Sequence, residues 1–218
     1  MLSIVAGAVL LDMDGTLVDS TAVVERLWVE WSQAHDVDPV RTLGIIHGRQ
    51  GHESMALLLP DRPHEHNVAE NSVMLKRETL ELDGVVEIPG ADALLAQLAG
   101  SPHALVTSAT RELAAIRMRA AGVRMPDVTV CAEHVRVGKP DPEGFLTAAR
   151  LLGLPPASCV VVEDSANGIE AGLAAGMRVI GVGPNGGGAN PTWAVPTIAD
   201  ISAAADGQHI TLTLNTPR

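Results

Sequence analysis

Residues 10–20 read LLDMDGTLVDS. An apolar run that starts near Ile4 ends here on two carboxylates one residue apart, Asp12 and Asp14, and Gly15 and Thr16 follow at once. Carboxylates this close repel, and each raises the pKa of the other unless a cation stands nearby. The stretch reads as the end of a buried strand that needs a positive partner from elsewhere in the chain.

Working outward, short apolar runs rich in β-branched residues recur at 4–12 (IVAGAVLLD), 103–108 (HALVTS), 127–132 (DVTVCA), 159–164 (CVVVED), 178–183 (RVIGVG) and, more weakly, 194–199 (AVPTIA). Helical patterns alternate with them at 90–100, 111–122, 142–153 and 167–176. Each ends on a glycine suited to a left-handed C-terminal cap: Gly100, Gly122, Gly153 and Gly176. Strands alternating with helices predict an α/β fold, a Rossmann-like core built on a parallel sheet. Between about Thr21 and Val86 the alternation stops. AVVERLWVEWSQAH (22–35) places Val24, Leu27, Trp28 and Trp31 at helical spacing, and further helical segments follow around 51–59 and 66–82. The expected organisation is a core of residues 1–20 and 87–218, with a small all-helical domain, 21–86, inserted after the first strand. GPNGGGANP (183–191) is a loop by composition.

The bulk numbers narrow the function. Of 218 residues, 46% are hydrophobic and 19% charged, an ordinary globular balance. With 26 acidic and 15 basic residues the formal charge is −11, so the basic footprint of a nucleic-acid binder is missing. Cys131 and Cys159 sit in apolar contexts and read as buried, inert thiols in a reducing compartment. The opening residues lack the basic start of a signal peptide, and no apolar stretch approaches the length of a membrane span. A cytoplasmic protein is expected, a monomer or weak dimer, acting on a small metabolite with neither nucleic acid nor membrane as partner.

In an open α/β sheet, ligands bind beyond the carboxyl ends of the strands. The polar residues gather there: Asp12-x-Asp14-Gly15-Thr16, Thr107-Ser108, Lys139 in the GKPDP loop, and Glu163-Asp164. Singly, each has an ordinary explanation as a cap, a solvated lysine or a turn. Together they describe one site. Converging carboxylates call for a cation, and hard oxygen ligands suit Mg²⁺, which also binds a substrate phosphate. One aspartate can attack phosphorus while the other protonates the leaving oxygen and later takes a proton from water. Lys139, Thr107 and backbone N–H groups beside it, near Ser108, supply donors for the remaining phosphate oxygens, and Gly15 lets the backbone approach closely. The residues predict metal-assisted phosphoryl transfer through an aspartyl-phosphate.

DMDGTLVDS, LVTSAT, GKPDP and VVVEDSANGIEAGLAAGM resemble, in this order, the four motifs of the haloacid dehalogenase-like phosphohydrolase superfamily. The resemblance implies that Asp12 is the nucleophile, Asp14 the general acid/base, Thr107 the phosphate-binding hydroxyl and Lys139 the cation steadying both. It implies a Mg²⁺ site formed by Asp12, the backbone carbonyl of Asp14, and Asp164, with Glu163 beside it in an acidic pair. Residues 21–86 resemble the helical cap of the branch that holds β-phosphoglucomutase and the sugar-phosphate phosphatases. The founding dehalogenases lack the second aspartate, so Asp14 argues against dehalogenation. β-Phosphoglucomutases carry a cap-helix His where Val24 stands, and a Lys and an Arg where His47 and Gly51 stand. The chain is more similar to the glycerol-phosphate and 2-deoxyglucose-6-phosphate phosphatases, through His47-Gly48, VEIPGA (86–91) and TSATRELA (107–114). A phosphatase of small sugar or polyol phosphates is implied, with a phosphosugar mutase as the alternative.

Cap residues are expected to choose the substrate, with Trp28, His47, Gly48, Arg49 and Glu53 as candidates. Trp28 has cap packing as a rival role, and Arg49 has pairing with a cap carboxylate. His64 and His66 read as a solvated helix start rather than a metal site. Asp19 and Ser20 are expected to form the hinge into the cap, with Ser20 capping its first helix. Gly44 and Gly48 are expected to let the cap loop move, and the Met13 side chain should point into apolar packing.

Overall fold

Gly7 divides the first apolar run, and what reads as one strand is two. In the computed structural model, which describes residues 1–207 and 209–215, β1 (Leu2–Ala6) and β2 (Ala8–Leu11) flank this glycine. Its N–H donates to the Ser158 carbonyl at 2.8 Å. β3 (Val18–Asp19) comes next, followed by four helices, α1 (Thr21–Ala34), α2 (Pro39–Ile46), α3 (Gly51–Leu58) and α4 (His64–Leu80), and by β4 (Val86–Glu87). Strands and helices then alternate: α5 (Ala91–Leu98), β5 (His103–Val106), α6 (Arg111–Ala120), β6 (Val128–Val130), α7 (Glu143–Leu151), β7 (Cys159–Glu163), α8 (Ala166–Ala174), β8 (Arg178–Val182) and β9 (Trp193–Val195). β10 (Ile201–Ala205) and β11 (Ile210–Leu214) follow. Residues 216–218, the end of the expected core, lie outside the described residues.

Six parallel strands in the order β6-β5-β2-β7-β8-β9 form the main sheet, with β2 near its middle. Side chains alternate across it with period two. Val9 and Leu11 of β2, Val160 and Val162 of β7, and Ile180 of β8 join α5 and α6 on one face. Ala8, Leu10, Val161 and Val179 join Phe145 of α7 and Ile169 of α8 on the other. Covered on both sides, these strands are continuously apolar, which is why they stand out in the sequence. The four helix-ending glycines adopt positive φ, and Met13 is fully buried among apolar side chains. Cys131 and Cys159 are buried and unpaired.

The expected topology needs three corrections. β1, β11 and β10 form a separate antiparallel sheet. The alternation of ITLTL (210–214), with Ile210, Leu212 and Leu214 buried, is the sequence signal for it. The weak run at 194–199 yields only β9 before a short 3₁₀ turn at Ile198–Asp200. The region between β3 and β4 contains one helix beyond those expected, α2. Its start signals are present: Asp38 accepts the Val40 N–H at 3.0 Å, and Pro39 occupies the first helical position. Gly44 therefore lies inside α2 rather than in a mobile loop.

The four helices enclose their own cluster of Trp28, Trp31, Ile46, Met55, Leu58 and Met74, with Trp28 and Trp31 meeting edge to face at 5.4 Å. β3 and β4 pair antiparallel, Val18 opposite Glu87 and Asp19 opposite Val86. The chain thus enters and leaves this helical insertion through one two-stranded ribbon. Among the described residues, no helix is long and apolar enough to cross a membrane.

Candidate active site

Adjacent parallel strands bring distant acids together at one sheet edge. The Asp12 N–H extends the β2–β7 ladder by donating to the Val162 carbonyl at 3.1 Å. Asp12 consequently stands beside Glu163 at the end of β7. Lys139 reaches in between them: its Nζ donates to Asp12 Oδ1 at 2.5 Å, Glu163 Oε1 at 2.8 Å and the Val106 carbonyl at 3.1 Å. An ammonium has three protons, so all are placed and the head group is fixed. Burial opposes the charge on Lys139, but the Asp12 and Glu163 carboxylates outweigh it and raise its pKa. Burial pushes Asp12 the other way, up to about 7, with Lys139 lowering it and Glu163 and Asp14 raising it. Glu163 also accepts from the Ser165 N–H at 2.6 Å and the Ser165 hydroxyl at 3.0 Å, so both of its oxygens hold protein donors.

Asp164 completes the acidic group. Ligand oxygens of Asp12, Glu163 and Asp164 lie within 4.8 Å of one another. Burial, then repulsion by Glu163 and Asp12, raises the Asp164 pKa, against a hydrogen bond from Thr16 and the charge of Lys139. The Thr16 hydroxyl donates to Asp164 Oδ1 at 3.1 Å. Gly15, at φ +87°, leaves room for the other oxygen, since a Cβ there would lie 2.1 Å from Asp164 Oδ2. Three carboxylates facing one ammonium leave two formal negative charges in a buried place. Such an all-oxygen set fits a hard divalent cation. Asp12 and Asp164 are the pair that could hold it, because both oxygens of Glu163 already accept protein donors.

Thr107 closes β5, where its N–H donates to the Val130 carbonyl at 2.9 Å and its hydroxyl accepts the Ala109 N–H at 3.0 Å. It lines, with Ser108, Lys139 and Gln50, a cavity of about 20 Å³.

Asp14 has separate partners. Its Oδ1 accepts from Ser20 Oγ at 2.6 Å and from Arg117 Nη1 at 2.9 Å. The Ser20 side chain makes no cap bond to α1 although it occupies the capping position; instead the Asp19 carboxylate accepts the Thr21 N–H at 3.0 Å. Arg117, on α6, is 3% exposed, and its Nη2 donates to Glu78 Oε2 on α4 at 2.8 Å. Burial raises the Glu78 pKa, partly countered by Arg117.

The insertion sits on the mouth of the site. Ser108 Oγ donates to the Gly48 carbonyl at 2.9 Å, and Asn167 Nδ2 to the His47 carbonyl at 2.7 Å. Arg49 Nη2 donates to Asn167 Oδ1 at 2.8 Å rather than pairing with an acid of the insertion. Glu53 Oε1 accepts the Gly138 N–H at 2.9 Å, next to Lys139. Gly48 packs where a Cβ would fall 2.2 Å from Ser165 Oγ, and its φ is +76°. His47 pairs with Glu25, also of the insertion, at 3.3 Å. Trp28, only 4% exposed, belongs to the insertion core. His64 and His66 are exposed at the start of α4.

Sequence reasoning placed Thr16 in the constellation without a role, and it did not select Arg117, Asn167 or Gln50 as site residues. Arg117 had a signal: it recurs four residues after Leu113 on the apolar face of α6. A cation at such a position is either buried against acids or misplaced.

The model of the family described as haloacid dehalogenase-like hydrolase matches residues 6–176. Hexitol phosphatase A of Escherichia coli (strain K12) is 44% identical over 175 residues, covering 79% of this chain and 81% of that one. Glycerol-1-phosphate phosphohydrolase 2 of Saccharomyces cerevisiae is 31% identical, covering 83% and 76% respectively. The crystal structure of β-phosphoglucomutase from Clostridium difficile superposes with a TM-score of 0.75 at 20% identity over 89% of this chain and 92% of that one, a likeness of fold. With its buried Asp12–Lys139–Glu163 group at the edge of a parallel sheet, the chain belongs to the haloacid dehalogenase-like hydrolases.

Proposed function

We propose that this chain, a phosphatase of that family, hydrolyses small sugar or polyol monophosphates with Mg²⁺ through an aspartyl-phosphate on Asp12. The observation that carries the reading is the division of labour between two neighbouring carboxylates. Asp12 faces Lys139, whereas Asp14 faces Ser20 and Arg117. Asp12 attacks phosphorus as the bond to the leaving oxygen breaks, and Asp14 gives that oxygen its proton. Asp14 then takes a proton from water as the water oxygen attacks the phosphoryl group on Asp12, which releases inorganic phosphate, frees the Asp12 carboxylate and returns Asp14 to the protonated form that began the cycle. Lys139 and the backbone around Thr107 stabilise the oxygens of the transferring group. Asp12, Asp164 and the Asp14 carbonyl would hold Mg²⁺, whose charge would keep Asp12 ionised despite its burial.

The insertion acts as a cap. Residues 21–86 form it and residues 1–20 and 87–218 the catalytic core, and the 47–53 stretch, seated beside Lys139 and Asn167, meets the leaving group. The hydrogen bonds from Ser108 to the Gly48 carbonyl and from Asn167 to the His47 carbonyl seat this stretch over the site, so a substrate enters as the seat lifts. Polyol and sugar phosphates are supported by the named activities of the relatives. Two buried free thiols support a reducing, cytoplasmic setting. A panel of hexitol, glycerol and hexose monophosphates assayed for phosphate release with Mg²⁺, and with EDTA as control, tests the reading. Metal-dependent release from alkyl monophosphates is expected. Interconversion of hexose phosphates without release would overturn it.

A further inference from the structure

Arg117 is the one buried guanidinium in the described site, and it holds two acids at once. Asp14 comes from the loop after β2, Arg117 from α6 and Glu78 from α4. Both Nη atoms are committed to carboxylates, at 2.9 and 2.8 Å, while the buried Nε has no partner among the described residues. Ser20 and Arg117 both donate to Oδ1 of Asp14. That fixes the side chain and leaves Oδ2 as the oxygen that carries a transferable proton.

We propose, on the phosphatase reading above, that Arg117 is a positioning residue. It aims Oδ2 of Asp14 at the leaving oxygen, and Glu78 on the insertion holds Arg117 in the posture that does so. The brace is completed by the insertion, so proton transfer is best aligned when the insertion is seated. Glu78 also has a second function: without it, the guanidinium would turn its full fork on Asp14 and draw both carboxylate oxygens into a bidentate pair, taking Oδ2 out of use.

Leaving-group dependence separates this role from simple support of the fold. 4-Nitrophenyl phosphate expels a good leaving group and needs little help from an acid. Phenyl phosphate expels a phenolate, a tyrosine-like group of pKa about 10, and gains from protonation. The value of kcat/KM reports the first phosphoryl transfer. In Arg117→Met/Glu78→Leu, which strands no buried charge, kcat/KM for phenyl phosphate should fall about tenfold or more beyond its fall for 4-nitrophenyl phosphate. Arg117→Lys, which cannot fork between two acids, should show the same selectivity to a smaller degree and serves if the double variant does not fold. Equal losses on both substrates, or none, would overturn the positioning role. A wild-type protein that releases phosphate neither from these nor from the hexitol, glycerol and hexose monophosphates would overturn the phosphatase reading instead.

Discussion

Without a divalent cation, the buried acids of this site should make the fold less stable as pH rises from about 5 to 7, the reverse of ordinary acid denaturation. Asp12 moves from its usual 3.8 to about 7 on folding, because burial and the neighbouring Glu163 and Asp14 outweigh Lys139. A carboxyl with a raised folded-state pKa holds its proton longer in the native state than in the unfolded one. Its effect is absent below the unfolded pKa, grows as pH rises, and is complete above the folded pKa. For Asp12 alone the difference is worth about 4 kcal/mol. Asp164 and Glu78, also raised, act in the same direction. Glu70 and Asp92, lowered to about 2, add stability as pH climbs, but their contribution is complete near pH 5. His52, lowered by burial, gives a small opposite trend below about 6.5. Urea melts at pH 5, 6, 7 and 8 in EDTA, repeated with Mg²⁺ and with Asp12→Asn, resolve these parts. The wild type should lose a few kcal/mol across the range in EDTA and recover about 2.7 kcal/mol at pH 8 when Mg²⁺ stands at a hundred times its Kd. Asp12→Asn should flatten the slope. An unchanged slope in that variant, or no response to Mg²⁺ at pH 8, would refute the assignment of these carboxylates to a cation site.

Three further outcomes are expected. Lys139→Met leaves Asp12 and Glu163 buried without their cation, and should cost about 3–5 kcal/mol, lowering Tm by about 10 °C as well as removing turnover; calorimetry with Mg²⁺ present reads it. Gly15→Ala forces a Cβ into the space of Asp164 at a left-handed φ, so beyond about 1–2 kcal/mol of strain it should raise the Mg²⁺ concentration for half-maximal activity. Asn167→Ala removes the hydrogen bonds to the His47 carbonyl and Arg49, so amide exchange across residues 47–53 should speed about tenfold or more. Unaltered protection there would mean that the seat is held elsewhere.

Much of the molecule is legible in its sequence because burial on both faces leaves a plain mark. β2, β7 and β8 are apolar at nearly every position, and acids end the run in β2 and β7. The core site follows, since parallel strands that start level deliver their last residues to one edge. One-sided structure leaves a fainter mark. β11 alternates Ile, Thr, Leu, Thr, Leu, and its partner β10 is mostly alanine, so neither carries a strong run. The partners of Asp14 were hidden for another reason. Arg117 and Glu78 lie 103 and 64 residues away from it in helices whose apolar stripes read as simple packing. Nothing in local spacing says that two charged residues on different helices will meet around a third. The docking contacts of the insertion were equally hidden, because the Gly48 and His47 carbonyls carry no side-chain signature.

The two-residue ribbon of β3 and β4 bears on how the chain finds this structure. β2 must pair with β5 although Val9 and its partner His103 are 94 residues apart, and such distant contacts slow folding through the entropy of closing the loop between them. Once Val18 lies opposite Glu87, the 21–86 segment no longer counts in that loop, and His103 is a short excursion from Val9. The helices can then complete their own core of Trp28, Trp31 and Met55 on either side of that event without changing the search for the sheet. A ribbon of four residues is thus a kinetic shortcut, and it also lets the segment it bridges vary in length and sequence at little cost to the assembly of the core.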